Sequence, residues 1–266
     1  MGSLFSYSTS SSCCKSIDDT IEQKIFHPPM RNDSDFGDLN SKQTTLLEYY
    51  TKKEQKISAI RIMPEGNTHP EKYIVYSHGN GCDILDANSF CKNLANNLNV
   101  GVICYDYIGY GLSEKISPSE QGCYDSIEAT IDFMIYKLEI NPKRIYLMGQ
   151  SLGTGITIDY ISKHDWITPV ILISPYKSIC KVVVNTSIIS PIDKFKSQKK
   201  LVNIKCPIKI FHGVADEIIG INHGIAMYNS LQNKTFAPVW FEGIGHNDIL
   251  DSITHDYYLE VLNYQF

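Results

Sequence analysis

The hydrophobic residues of this chain fall into short runs, and helix-like patterns separate most of these runs. Two runs near the start, at 44–50 and 57–63, predict a hairpin at the edge of a sheet. Strands that alternate with amphipathic helices favour a mostly parallel sheet with helices on both faces. We therefore predict an α/β fold whose further strands occupy residues 73–77, 101–105, 144–148, 170–174, 208–211 and 239–241.

The clearest helical pattern lies between the runs at 101–105 and 144–148. Ahead of it, Ser117 and Glu120 have the spacing of a capping box, and Pro118 suits the first helical position. The apolar residues that share one face of this helix are Ile127, Ile131, Met134, Ile135 and Leu138.

Composition and length agree with a folded protein of one domain. The chain has 266 residues, of which 43% are hydrophobic and 20% charged, which excludes a disordered chain, a collagen-like fibre and a coiled coil. No repeat or linker divides it, so we predict one domain over residues 31–266. A net charge of -5 argues against nucleic acid as a partner, and no apolar run approaches the roughly 20 residues of a bilayer span.

Residues 1–30 are predicted to form a flexible N-terminal arm, since residues 1–20 are rich in serine and threonine and poor in apolar groups. The chain begins Met-Gly-Ser-Leu-Phe-Ser, which fits the pattern for myristoylation of Gly2. One myristoyl chain binds membranes only marginally, with a constant of about 10⁴ M⁻¹. S-acylation of Cys13 and Cys14 would supply a second signal. The alternative is a chance start with ordinary cysteines.

The eight cysteines contain no CxxC pair, which speaks against a zinc ribbon or a thioredoxin-like site. The N-terminus also lacks the apolar region of a secretory signal. We therefore place the chain in a reducing compartment, where most thiols serve as small buried hydrophobes. We expect neither a metal nor another cofactor.

A serine between two glycines lies where the strand predicted at 144–148 turns into a helix over 152–163. The sequence Gly149-Gln150-Ser151-Leu152-Gly153 in this position is typical of a nucleophile elbow. The turn is so tight that the serine backbone is strained, and side chains at 149 and 153 would collide with their neighbours. A glycine-rich structural turn is the alternative.

A serine hydroxyl attacks an acyl group only when an imidazole base, oriented by a carboxylate, assists it. In this type of fold the chain order is serine, acid, histidine. Asp216 follows the strand predicted at 208–211 and His246 follows the last strand, so both reach the carboxyl edge of the sheet, where ligands bind. Glu217 is the nearest rival acid. Capping or surface roles are expected for the other histidines beyond Ser151, namely His164, His212, His223 and His255.

The segment Ser-His-Gly-Asn-Gly at 77–81 lies between a predicted strand and a helix that starts near Asp83. In this position we expect the second donor of an oxyanion hole, because glycines allow the backbone to approach a substrate oxygen. The donors would be the backbone N–H groups of Asn80 and Leu152, each worth a few kcal/mol in the transition state. A simple turn is the alternative.

Taken together, these motifs resemble the α/β-hydrolase domain-containing protein 17 group of serine hydrolases. The resemblance covers residues 70–266 and implies an α/β-hydrolase fold with Ser151, Asp216 and His246 as the triad. It also implies a protein depalmitoylase that cleaves cysteine thioesters at membranes and is anchored by an acylated cysteine cluster. The chain departs from the family at its N-terminus, with two adjacent cysteines and a myristoylation-like start. The matching segments are 76–80, 105–111, 149–154, 174–175, 212–217 and 245–248.

A short lid is predicted at about 175–205, where this fold inserts lids. Between Ser174 and Lys205 only Asp193 is acidic, against seven lysines. A solvated loop is one interpretation. The other is a basic face that meets anionic cytoplasmic lipid, at about 1 kcal/mol per lysine. These lysines are Lys177, Lys181, Lys194, Lys196, Lys199, Lys200 and Lys205.

These observations predict a serine hydrolase that cleaves acyl thioesters, S-palmitoyl groups on membrane-associated proteins, through an acyl-enzyme. Its partners would be S-acylated substrate proteins and the cytoplasmic leaflet of a membrane, with the plasma membrane as one candidate. A lipid esterase or lysophospholipase would use the same machinery. A non-catalytic interaction module that keeps the fold is a different class. A peptidase is a weaker alternative, because nothing in the sequence resembles a large gating domain.

Overall fold

The computed structural model describes residues 22–37, 39–183 and 193–266. Over these ranges the chain forms an eight-stranded sheet with the order β1-β2-β4-β3-β5-β6-β7-β8. The strands are β1 (Thr44–Tyr50), β2 (Lys56–Ile62), β3 (Tyr73–Ser77), β4 (Gly101–Tyr105), β5 (Ile145–Gln150), β6 (Val170–Ile173), β7 (Ile208–Gly213) and β8 (Val239–Phe241).

Strands β3 to β8 run parallel, whereas β1 and β2 form an antiparallel hairpin that joins the sheet through β4. Every residue of β3, β4 and β7 is buried. Such fully buried strands are typical of a parallel sheet with both faces covered, because neither set of alternating side chains meets water. The predicted mostly parallel α/β fold and its edge hairpin are therefore confirmed.

Helices cover the two faces of the sheet and bury a separate apolar core on each. The helices are α1 (Ile84–Leu98), α2 (Glu120–Tyr136), α3 (Leu152–Lys163), α4 (Ile179–Val183), α5 (Ser197–Lys200), α6 (Ile221–Ser230), α7 (Ile249–Ser252) and α8 (His255–Leu262). Helices α1 and α8 share one core with strand residues such as Ile74, and helices α2 and α3 share the other core with strand residues such as Val75.

The predicted capping box of α2 is wrong by two residues. The N-cap is Ser119, whose hydroxyl accepts a hydrogen bond from the Gly122 N–H at 3.0 Å. With Ser119 as the N-cap, Glu120 is the first helical residue rather than the third, so it does not form a box with Ser117. Its carboxylate instead accepts hydrogen bonds from the Tyr124 hydroxyl and the Phe195 N–H, each at 2.6 Å.

The arm predicted over residues 1–30 is wrong for part of residues 22–30, because Ile25 and Phe26 are buried against the domain. Phe26 is 4% exposed, and its ring makes edge contacts with Tyr110 and Phe195 at centroid distances of 6.5 and 6.0 Å. Residues 1–21, which include Gly2, Cys13 and Cys14, lie outside the described residues, as do residues 184–192 of the predicted lid. None of the helices in the described ranges combines the length and apolar character needed to cross a bilayer.

Candidate active site

Ser151 occupies the sharp turn between β5 and α3, with φ 51° and ψ −118°. A positive φ is costly for a residue with a Cβ and is found where the surrounding structure enforces it. Here the Ser151 N–H donates to the Ile173 carbonyl at 2.9 Å, which ties the turn to the neighbouring strand β6. The serine hydroxyl is thereby held above the carboxyl edge of the sheet.

The glycines on either side of Ser151 are required by close backbone approaches. A Cβ at Gly149 would lie 2.5 Å from the Gly153 carbonyl oxygen. A Cβ at Gly153 would lie 2.6 Å from the Ser77 carbonyl carbon and closer still to its oxygen. Real Cβ atoms do not approach backbone atoms so closely, so the steric reason predicted from the sequence agrees with the structure.

The structure brings Ser151, Asp216 and His246 together at this edge. Asp216 follows β7 and His246 follows β8, as the chain order predicts. The His246 Nδ1–H donates to Asp216 Oδ2 at 2.7 Å, and Nε2 lies 3.0 Å from the Ser151 Oγ. With its proton on Nδ1, the ring offers Nε2 as an acceptor for the serine proton. This is the geometry that general-base activation of a serine needs.

Asp216 is held as an ionised orienting group. Its second oxygen accepts the N–H groups of Ile218 and Ile219 at 3.0 and 2.7 Å, and its side chain is fully buried. Burial alone would raise the pKa of Asp216, but the hydrogen bonds from His246 and Ile219 outweigh it and hold the pKa below its usual value. The rival acid Glu217 is exposed, and it is Asp216 whose carboxylate accepts the His246 Nδ1–H.

Two further histidines lie inside the domain, so the surface roles expected for them are wrong. His212 sits in β7, where its Nε2–H donates to the Ile219 carbonyl at 2.6 Å, and burial lowers its pKa. His223 accepts the Lys177 N–H at 3.3 Å, and burial lowers its pKa to about 4. The strand was predicted to end at residue 211, one residue before His212. In the structure β7 extends to Gly213 and so includes this imidazole in a strand that is buried on both faces. His164 and His255 are exposed, as expected.

The predicted oxyanion turn lies beside Ser151: a Cβ at Gly79 would be 3.8 Å from the Ser151 Cβ, and Asn80 lines the same cavity as Ser151. Leu152 begins α3, so its N–H has no partner within the helix. Asn80 lies on the turn at 77–81, which His78 stabilises. The His78 Nδ1–H donates to the Gly79 carbonyl at 2.8 Å, and the His78 ring stacks on Tyr107. Burial lowers the pKa of His78 to about 4. The imidazole of His78 is therefore a neutral structural group at physiological pH.

The tyrosines of the 105–111 motif support this turn, a role that the sequence did not reveal. The Tyr107 hydroxyl donates to the His78 carbonyl at 2.6 Å, and the Tyr110 hydroxyl donates to the side chain of Asn80 at 2.6 Å. Both tyrosines are fully buried. A buried hydroxyl with a partner fixes backbone geometry firmly, because breaking the bond leaves a desolvated polar group.

A cavity of about 540 Å³ opens beside Ser151. Its size and largely apolar wall suit a hydrophobic ligand whose polar end reaches the serine and the oxyanion turn. In the described ranges, no group of three histidine, cysteine or acidic side chains is arranged to hold a metal ion. The aliphatic residues of the wall are Ile25, Leu152, Ile179, Val182, Ile218, Ile219 and Leu250.

The lysines of the predicted lid do not form a uniform basic face. Lys200 donates to Asp159 at 2.6 Å and to the Tyr124 hydroxyl at 2.9 Å, and Lys194 lies 3.3 Å from Glu22. Lys199 is exposed on α5. Contact with anionic lipid stays a prediction, and it rests on the exposed lysines rather than on all seven.

The mostly parallel sheet and the serine at the sharp turn after β5 are typical of α/β hydrolases, and comparisons with known proteins agree with this class. The family model "Serine aminopeptidase, S33" matches residues 68–198. The α/β hydrolase L404 of Acanthamoeba polyphaga mimivirus is 50% identical over 248 residues, which are 93% of this chain and 94% of that protein. The chain therefore belongs to the α/β-hydrolase family.

A more distant relative and a solved structure are also similar to this chain. Alpha/beta hydrolase domain-containing protein 17C of Xenopus tropicalis is 38% identical over 177 residues, or 66% of this chain and 56% of that protein. The chain thus spans little more than half the length of this relative. The solved esterase Pf2001 of Pyrococcus furiosus shares the fold, with a TM-score of 0.67 and 16% identity over 89% of this chain and 97% of its own.

Proposed function

We propose that this chain is a serine hydrolase that cleaves acyl thioesters, with S-palmitoyl groups on membrane-associated proteins as its substrates. The observation that carries the proposal is the hydrogen-bonded series of Asp216, His246 and Ser151 beside an apolar cavity. A hydrolytic serine beside an apolar wall suits a fatty acyl group. The similarity to protein 17C supports the same class of substrate through the resemblance described above.

The reaction would proceed in two halves. Ser151 Oγ attacks the acyl carbonyl while His246 Nε2 takes the hydroxyl proton, and Asp216 stabilises the imidazolium that forms. The backbone N–H groups of Asn80 and Leu152 would bind the oxyanion of the tetrahedral intermediate. Collapse of this intermediate breaks the C–S bond, and His246 returns the proton to the leaving thiolate. Water, deprotonated by His246, then releases the fatty acid and regenerates Ser151.

A thioester suits this site better than an amide does. A thiolate leaves readily, so the acid role of His246 is less demanding than in the expulsion of an amine. A lipid esterase is the second candidate, favoured by the same apolar wall of the cavity. Both candidates use Ser151 and differ only in the leaving group, so turnover of matched substrates separates them.

The test compares an S-palmitoylated peptide with palmitoyl glycerol and lysophosphatidylcholine, all in the same detergent. We expect kcat/KM for the thioester to be at least about tenfold higher, because the palmitoyl groups are identical and thiolate is the better leaving group. Ser151→Ala protein is the control for hydrolysis that does not depend on the site. Faster turnover of either glycerolipid would favour the lipid esterase and contradict the proposal.

We also propose that the N-terminal arm anchors the protein to the cytoplasmic face of a membrane through myristoylated Gly2 and S-acylated Cys13 and Cys14. Because one acyl chain anchors only marginally, we expect Gly2→Ala, or Cys13→Ser with Cys14→Ser, to shift most of the protein to the soluble fraction of expressing cells. Ser3→Ala leaves the motif intact and is the matched control. Unchanged membrane association in both anchor variants would contradict the proposal.

A further inference from the structure

Residues 24–27, here called the strap, form one wall of the cavity beside Ser151. Lys24, Ile25 and His27 line the cavity, while the ring of Phe26 points into the domain and is 4% exposed. The strap lies within the predicted N-terminal arm and more than fifty residues from the oxyanion turn in sequence. A part of the chain outside the sheet therefore shapes the site that holds the acyl group.

The side chain of Asn80 joins the strap to the oxyanion turn. Its Nδ2 donates to the Ile25 carbonyl at 2.6 Å, and its Oδ1 accepts the His27 N–H at 3.0 Å. Oδ1 also accepts the Tyr110 hydroxyl at 2.6 Å. A carbonyl can only accept and a backbone N–H can only donate, so these partners fix which end of the carboxamide faces which atom.

These three hydrogen bonds restrain the backbone of Asn80 as well as its side chain. The carboxamide is clamped by the strap from one side and by Tyr110 from the other, so its Cα and adjoining peptide N–H have little freedom to turn. An oxyanion donor is effective only when it points at the position of the developing charge. A shift of about 1 Å in a positioned group can cost a hundredfold in rate.

We propose that Asn80 is a positioning residue. Its carboxamide holds the strap in place at the acyl cavity and thereby orients the backbone N–H of Asn80 toward the oxyanion. This inference rests on the proposed serine-hydrolase function and adds a specificity element to it. It also assigns the strap a role as part of the acyl site, in which Ile25 contacts the acyl chain.

Asn80→Asp is the sharpest variant, because it keeps the shape of the side chain. An aspartate oxygen would replace Nδ2 opposite the Ile25 carbonyl, so one hydrogen bond becomes a repulsion between two acceptors. Tyr146→Phe is the matched control, since it removes a buried hydroxyl hydrogen bond, to the Leu262 carbonyl at 3.1 Å, and Tyr146 does not line the cavity. We expect Asn80→Asp to lower kcat about tenfold to a hundredfold, and Tyr146→Phe to lower it by less than about threefold.

The measurements are the kcat and KM for p-nitrophenyl butyrate and for an S-palmitoylated peptide, and the rate of labelling by a fluorophosphonate. Aiming of the oxyanion donor acts on the transition state, so we expect a fall in kcat and in the labelling rate with little change in KM for the short ester. Loss of the strap wall adds an increase in KM for the palmitoyl substrate alone. A thermal unfolding curve for each variant shows the folded fraction.

A purely structural role would lower the melting temperature of Asn80→Asp and leave kcat per folded molecule unchanged, and that result would overturn the inference. Equal losses in Asn80→Asp and Tyr146→Phe would also overturn it, because the loss of any buried hydrogen bond would then explain the effect. Wild-type protein that hydrolyses the short ester but not the thioester would defeat the proposed substrate class. The inference about Asn80 would still be decided by the short ester and the probe.

Discussion

Ser151→Ala protein is expected to lose hydrolysis of p-nitrophenyl butyrate by about 10⁴-fold or more in kcat. The alanine removes the oxygen that would form the proposed acyl-enzyme, so only binding near the proposed oxyanion donors would remain. His246→Ala should cost nearly as much, since without the imidazole the serine keeps its proton. The Ser151→Ala, His246→Ala double variant should be no slower than either single variant, because both changes remove the same step.

Fluorophosphonate labelling and ester turnover check this expectation on protein whose fold is verified by circular dichroism. His164→Gln is the matched histidine control. His164 is exposed and lies 3.0 Å from Glu128, on the surface. Its replacement should change kcat by less than about twofold, as surface substitutions usually do. A His246→Ala variant that keeps a tenth of the wild-type rate would show that the observed geometry is not the one that performs the reaction.

The sheet was predictable because its strands are buried on both faces and therefore appear as unbroken apolar runs. The bounds predicted for β1, β3, β4 and β8 match the structure, whereas β2, β5, β6 and β7 each differ by one or two residues at one or both ends. Ser151, Asp216 and His246 followed from the same logic. Each lies one to five residues beyond the end of a strand, and parallel strands end at one edge of the sheet.

Contacts between distant segments were not predictable in this way. The strap contains Ile25 and Phe26 within an otherwise polar stretch, which reads as part of the arm. Its burial depends on Tyr110 and Phe195, and the single sequence gives no sign of that pairing. The hydrogen bond from the Phe195 N–H to Glu120 is of the same kind, since it joins residues 75 positions apart.

Gly153→Ala protein is expected to lose both stability and activity. The added methyl group would lie 2.6 Å from the Ser77 carbonyl carbon and 2.8 Å from the His78 oxygen, both backbone atoms of the facing turn. Relief requires α3 to move away from β3, at a cost of about 1–3 kcal/mol or more. The same movement separates the N–H of Leu152 from that of Asn80, so the proposed oxyanion hole opens.

Urea unfolding and the fluorophosphonate labelling rate measure these two effects separately. Gly81→Ala is the control, because a Cβ at this nearby glycine meets nothing within 4 Å. We expect Gly81→Ala to keep wild-type stability to within about 0.5 kcal/mol. For Gly153→Ala, the labelling rate of the folded fraction should fall at least about tenfold, as the loss of one oxyanion donor would predict. If folded Gly153→Ala protein labels slowly, the close approach of α3 to the Ser77 turn matters for the chemistry as well as for stability. A folded Gly153→Ala protein that labels at the wild-type rate would show that the two N–H groups need not be held together.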